Sequence, residues 1–249
     1  MDAPVPSQPG ATPAPLPIFH SEQELLEQFA AIGLERQLDL GEVIGNNNWN
    51  VDLSKSEISF GPNLTFAMQA LGTFSRESDT WLWAWANTQT PYTEAGTQQA
   101  RQLRQYGEDH GLALLANPDC EATDDDLHRL GLMATGLLQA DAYYLADYGQ
   151  GIMLVTLTDA RLVATHPEND PRIFRIFSEI ISQYEVRHQP TLAAYLTALG
   201  YEVTTSPLSL TGIGARSNNT VTAEFDESGN LTKLKGLLPS ADDYSPYNS

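Results

Sequence analysis

The run Trp81-Leu82-Trp83-Ala84-Trp85-Ala86-Asn87 constrains this chain more than any other stretch. Alternation with period two is the geometry of a strand, so three indoles share one face and Leu82, Ala84 and Ala86 the other. Aromatic rings carry large apolar areas that must leave water. A strand over Thr80–Thr88 is therefore expected at the centre of a sheet. Upstream, Glu57–Phe60 and Asn63–Ser75 also read as strands, separated by Gly61-Pro62 and by Arg76-Glu77-Ser78-Asp79. Connections this short join antiparallel neighbours.

Helices surround these strands. Ser21 followed by Glu24 and an apolar run has the spacing of a capping box, which starts a helix running from Glu22 to about Leu40 with Gly33 as a weak point. Its polar face carries Glu22, Glu24, Glu27, Glu35, Asp39 and Glu42 against Arg36 alone. A turn at Asn46-Asn47-Asn48 comes after it. Further helices are expected over Thr93–Gly107, from Asp124 to about Leu138, from Pro171 to a break at Pro190, and over Thr191–Leu199. Leu112–Ala116 reads as a strand or extended connection, and Tyr201–Thr205 as a strand. Hairpins are expected at Ala142–Leu145 with Ile152–Leu157, and at Val221–Phe225 with Leu231–Leu237. Strands in runs with helices around them define an α+β class: antiparallel sheet, central tryptophan-rich strand, several packed helices.

The segment 1–17 holds six prolines among small polar residues and reads as an extended tail, and 240–249 as a second flexible tail. Between them, residues 18–165 form the α+β part with the tryptophans. Residues 166–239 are expected to form a helical pair and hairpin packed on it; the candidate division lies near Thr165–Pro171, and a single continuous fold is preferred over two domains.

Leu71-Gly72-Thr73-Phe74-Ser75, the tryptophan run, and Tyr106-Gly107 together resemble a bacterial family of unknown function marked by Leu-Gly-x-x-Ser, Trp-Leu-Trp-Ala-Trp-Ala-Asn and Tyr-Gly. The resemblance covers about Phe19 to Asp159. It implies a compact cytoplasmic α+β protein and transfers no catalytic residue.

Several groups of residues have the types that chemistry needs. His110 after Glu108 and Asp109 has the types of a general base beside carboxylates, but a cation offsetting the dipole at a helix C-terminus is the expected reading. Asp124, Asp125 and Asp126 with Asp119 and Glu121 would suit a hard cation, but consecutive helical residues diverge and no calcium-loop pattern is present, so a solvated helix start is expected. His166-Pro167-Glu168-Asn169-Asp170 groups acid/base residues that a capping turn explains equally. Trp49, Trp81, Trp83 and Trp85, with Asn87 and His110 at the rim, would line a pocket for a flat ligand or else form core. Cys120 beside Asp119 and Glu121 is a suppressed thiol, Gly212-Ile213-Gly214 lacks a phosphate loop's helix, and no nucleophile elbow occurs. No cofactor or metal is implied, and the chain reads as a non-enzyme.

Charge supplies the functional expectation. The 249 residues include 13 Lys and Arg against 32 Asp and Glu, a net charge of −19. Such a chain repels a phosphate backbone, so nucleic acid is excluded as a partner. No stretch reaches the ~20 apolar residues of a membrane span. A single cysteine and no secretory signal point to the cytoplasm. The acid would steer a basic protein, with Glu108, Asp109, Glu121, Asp124, Asp125 and Asp126 as the expected contact residues. The expectation is an acidic binding protein, of which an immunity protein neutralising a basic toxin is the concrete form. The alternative is a small-molecule binder or unrecognised enzyme with its pocket beside the tryptophan sheet.

Overall fold

Ser21 begins the first helix as its spacing requires. Its Oγ accepts the Glu24 amide at 3.1 Å, while the Glu24 carboxylate reaches back to the amide of His20 rather than to that of Ser21. In the computed structural model, which describes residues 18–162, 170–216 and 218–237, this helix, α1, runs Glu22–Ile44. It extends past the expected end because Gly41 breaks nothing, and it stops at Gly45, whose φ of 54° suits a residue without Cβ. Gly33 is no weak point. A Cβ there would sit 2.9 Å from Leu132 Cδ2, so the glycine lets a second helix approach closely. Both proline-rich and C-terminal tails, and His166–Asn169, lie outside the described residues.

The chain then builds β1 (Trp49–Asp52), β2 (Glu57–Phe60), β3 (Leu64–Ser75) and β4 (Thr80–Trp83). After a 3-10 turn at Ala95–Thr97 come α2 (Gln98–His110), α3 (Ala113–Ala116), β5 (Asp119–Glu121) and α4 (Asp124–Leu137). The hairpin β6 (Ala142–Asp147) and β7 (Gly151–Leu157) completes a seven-stranded antiparallel sheet. Strands β1 to β5 pair in chain order, and β7 pairs with both β3 and β6. Two helices, α5 (Asp170–Gln183) and α6 (His188–Ala198), lead into a second, four-stranded sheet. It is a simple meander of β8 (Tyr201–Ser206), β9 (Ser209–Gly214), β10 (Thr220–Phe225) and β11 (Leu231–Leu237). The α+β class with antiparallel sheets and packed helices is thus observed.

Four local expectations need correction. The tryptophan strand ends at Trp83: the amides of Ala86 and Asn87 both turn back onto the Trp83 carbonyl, at 3.0 and 3.1 Å, so Trp85 leaves the alternation. Nor is β4 the centre. Strand β3, twelve residues long, is paired by β2, β4 and β7, while β4 lies next to the three-residue β5. Leu112–Ala116 forms the short helix α3. Pro190 lies inside the first turn of α6, where its missing N–H has no intrahelical acceptor to lose. Beyond these, β1, β5 and β9 lie where the sequence pattern indicates no strand.

One hydrophobic cluster joins α1, the inner part of the first sheet, α2, α4, α5, α6 and the second sheet. Trp83 is fully buried within it, and its Nε1 donates to the Leu114 carbonyl at 2.9 Å. Gly72 on β3 lies beneath the neighbouring indole. A Cβ there would stand 2.4 Å from Trp81 Cζ2 and 2.5 Å from the Leu82 carbonyl oxygen. Backbone cannot yield as a side chain can, so Gly72→Ala is expected to cost roughly 1–3 kcal/mol, read as a lower denaturation midpoint.

Charged residues on α1 depart most from the expected exposed face. Glu27, Glu35 and Asp39 are all buried. The Arg187 guanidinium donates to Glu27, with Nη2 at 2.6 Å from Oε2, and the Arg187 amide donates to Oε1 at 3.0 Å. Burial alone would raise the Glu27 carboxyl, but the bonds from Arg187 and Gln23 outweigh it and hold the group below the usual carboxylate range. Arg172 from α5 enters between Glu35 and Asp39, and the Tyr195 hydroxyl of α6 donates to Glu35 at 2.7 Å.

At the start of α6, the imidazole of His188 accepts the Leu231 amide on Nδ1 at 2.9 Å. Acceptance requires a neutral nitrogen. Burial lowers the His188 pKa, against an opposing pull from Asp226. Linkage gives the sign: a depressed pKa means that the unfolded chain binds the proton more readily. The stabilisation is complete above about pH 6.5 and is lost as pH falls through the folded value. The melting temperature is expected to drop on acidification from pH 7 to 5.5, and His188→Asn to flatten that slope.

Candidate functional site

Strand β5 and the start of α4 bring together residues that the sequence offered separately. The register sets Cys120 opposite Trp81 across the β4–β5 ladder. Thr123 caps α4: its side chain accepts the Asp126 amide, and the Asp126 carboxylate accepts the Thr123 amide at 3.0 Å. This reciprocal cap fixes where the acidic run begins, and three carboxylates in the first turn suit the positive end of the helix dipole.

Between these elements lies a cavity of about 360 Å³. Trp81, Leu127, Leu130 and Met133 form its buried wall, and half-buried Leu114 and Cys120 line it as well. Glu22, Glu121, Asp126 and Arg129 stand where it meets solvent. The Cys120 thiol is pushed up, first by burial and then by Glu22, Asp119 and Asp126, so it stays protonated and unreactive near neutrality. The indole N–H of Trp81 is buried without an acceptor among the described residues.

A more open cleft shares Glu121, Ala122 and Asp126 with this cavity and continues over Phe74, Ser78, Asp79 and Asp124. Arg76 closes its far side. The guanidinium grips Asp147 with both arms, at 2.7 and 2.9 Å, and reaches Asp124 at 3.1 Å. Those bonds, with one from the Gly149 amide, bring the Asp147 carboxyl down to about 2. Asp79, Asp119, Glu121 and Asp124 are all exposed around this cleft or beside it, and Asp125 is exposed on the same turn of α4.

Other residues singled out in the sequence lie elsewhere or are already occupied. Glu108 pairs with Arg104 at 2.7 Å, and Asp109 accepts from Gln105 at 2.9 Å, each one turn back on α2. His110 packs its ring on Tyr106, with centroids 4.3 Å apart. Trp83 is core. Trp85 is half-buried beneath the Arg104 guanidinium, 4.4 Å from the ring centroid. The Asn87 side chain closes its own turn, accepting the amides of Gln89 and Thr90. Of the expected pocket, then, only Trp81 borders the cavity. Among the described residues no group of three or more His, Cys, Asp or Glu is arranged to hold a metal ion. No helix among them is long and apolar enough to cross a membrane.

The sequence reading missed the apolar wall on α4 and the buried charges of α1. Leu127, Leu130 and Met133 are spaced three apart on one helical face, which was a usable signal. Glu27, Glu35 and Asp39 also share a face, and their spacing alone gives no sign that Arg172 and Arg187 cover them.

No curated protein and no solved structure matches the chain. Residues 23–160, more than half of it, match a family described only as a family of unknown function. The matched region takes in nearly all of α1, the whole seven-stranded sheet and every lining residue of the cavity but Glu22, and the chain belongs to this family, DUF6882.

Proposed function

We propose that this is an acidic binding protein of the bacterial cytoplasm that engages a basic protein, its concrete form being an immunity-type protein that covers a basic toxin. The observation that carries this reading is the placement of the charge. Residues 18–162 hold 21 Asp and Glu against seven Lys and Arg, whereas residues 170–237 hold seven against six. Within the first part, the exposed carboxylates of Asp79, Asp119, Glu121 and Asp124 gather at one end of the sheet, and Asp125 adds its charge from the same helix turn. Clustered charge of one sign raises the encounter rate with a partner of the other sign and falls with salt. Glu108 and Asp109, already bonded along α2, contribute less than the β5–α4 group.

The test is capture from the native lysate by the tagged protein and by an Asp79→Asn, Glu121→Gln, Asp125→Asn variant. A basic protein retained at low salt, released at high salt and missed by the variant supports the reading. Absence of any basic protein at low salt sinks it. One observation favours a second reading, a small-molecule site: the cavity bounded by Trp81, with apolar residues inside and charge only at its opening.

A further inference from the structure

We infer that the cavity between β4, β5 and α4 takes a compact organic ammonium compound, its apolar body against Trp81 and its cationic head at Glu121. This rests on the second reading, that the cavity is a ligand site at all. Its volume, about 360 Å³, lies in the range of small-molecule pockets. Exposure grades across it: Leu127, Leu130, Met133 and Trp81 are buried, while Glu121 and Arg129 are exposed. An occupant must therefore be apolar inward and polar outward.

The sign of the polar end is set by the bonds each charge already makes. The Glu22 carboxylate accepts the Leu114 amide at 3.2 Å. Asp126 is held in the Thr123 cap, and Arg129 stands 3.9 Å from it. Glu121 has no partner among the described residues, and the amide on Glu22 is neutral, so the opening is net negative with Glu121 as its unbonded acceptor. A carboxylate or phosphate ligand would meet three acids and a single arginine that already faces one of them. An ammonium meets an unopposed acceptor.

Trp81, only 1% exposed, offers the occupant an aromatic wall at the inner end of the cavity.

The experiment titrates three apolar bodies (4-methoxyphenyl, indolyl and cyclohexyl), each bearing an ethylamine, an ethanol or an acetate group. The readout is the assigned indole N–H resonance of Trp81, supported by calorimetry. The amine of at least one series is expected to bind about tenfold more tightly than its acetate and to move the Trp81 resonance. Glu121→Gln, at an exposed position that leaves the fold intact, is expected to weaken the amine about two- to fivefold and leave the alcohol unchanged. If an alcohol or acetate binds as well as its amine, the ammonium inference is overturned while the ligand site stands. Should none of the compounds move the Trp81 resonance, both fall together.

Discussion

Replacing Arg172 by methionine is expected to destabilise the protein by roughly 3–5 kcal/mol, the cost of stranding buried charges. Arg172 Nε lies 3.0 Å from Glu35 Oε1, Nη2 contacts Asp39, and Nη1 stands 3.6 Å from Glu42 at the surface. The side chains of Glu35 and Asp39 are 9% and 8% exposed, so water cannot replace the lost guanidinium. A domain's whole stability is only about 5–15 kcal/mol, which makes this a large fraction. Adding Glu35→Gln and Asp39→Asn to the methionine variant should recover most of the loss, because amides tolerate burial far better than carboxylates. Urea denaturation of the wild type and these variants checks both statements, and a loss below about 1 kcal/mol for Arg172→Met alone would refute the assignment.

Trp83→Ala is the second large effect, expected at roughly 3–5 kcal/mol from cavity formation. The same change at Trp85 should cost clearly less, because that ring is only half-buried, with the Arg104 guanidinium over one face. Thermal melts of the pair distinguish the observed backbone from the alternating strand. Equal losses at the two positions would mean that all three indoles share one buried face after all.

That contrast also explains what the sequence made legible. Period two is a strong signal while the backbone stays extended, and it placed Trp81 and Trp83 correctly in the core. It carries no information on where the strand stops. The stop is set by amides of Ala86 and Asn87 folding onto one carbonyl, and by Asn87 capping its own turn, interactions any short polar residue can offer. The second sheet was legible in three of its four strands, and β9 was not, for a related reason. Its hairpin from Val221 to Leu237 has a turn rich in Asp, Ser, Gly and Asn, whereas β9 alternates through Gly212 and Gly214, where no side chain reports the face.

The candidate site was legible in its residue types and illegible in its assembly. Acid at Asp124–Asp126 correctly began a helix, whereas the Cys120 thiol is raised first by burial, which its sequence neighbours Asp119 and Glu121 do not reveal. Joining Trp81 to Glu121 required the β4–β5 register, a pairing across some forty residues set by tertiary packing rather than local pattern. The six acids of α1 misled in the opposite sense. Carboxylates normally face water, and three of them are buried here because arginines far along the chain reach them.

Those arginines reach back from outside the residues that match the family, 23–160. Glu27, Glu35 and Asp39 therefore record, within the family span, that α5 and α6 exist beyond it. A sibling chain truncated after β7 would lack Arg172 and Arg187 to face these acids, and is expected to carry apolar or amide side chains there instead. Reading three positions on one helix would then tell whether a given sibling bears the helical segment of α5 and α6, before any of its later sequence is inspected.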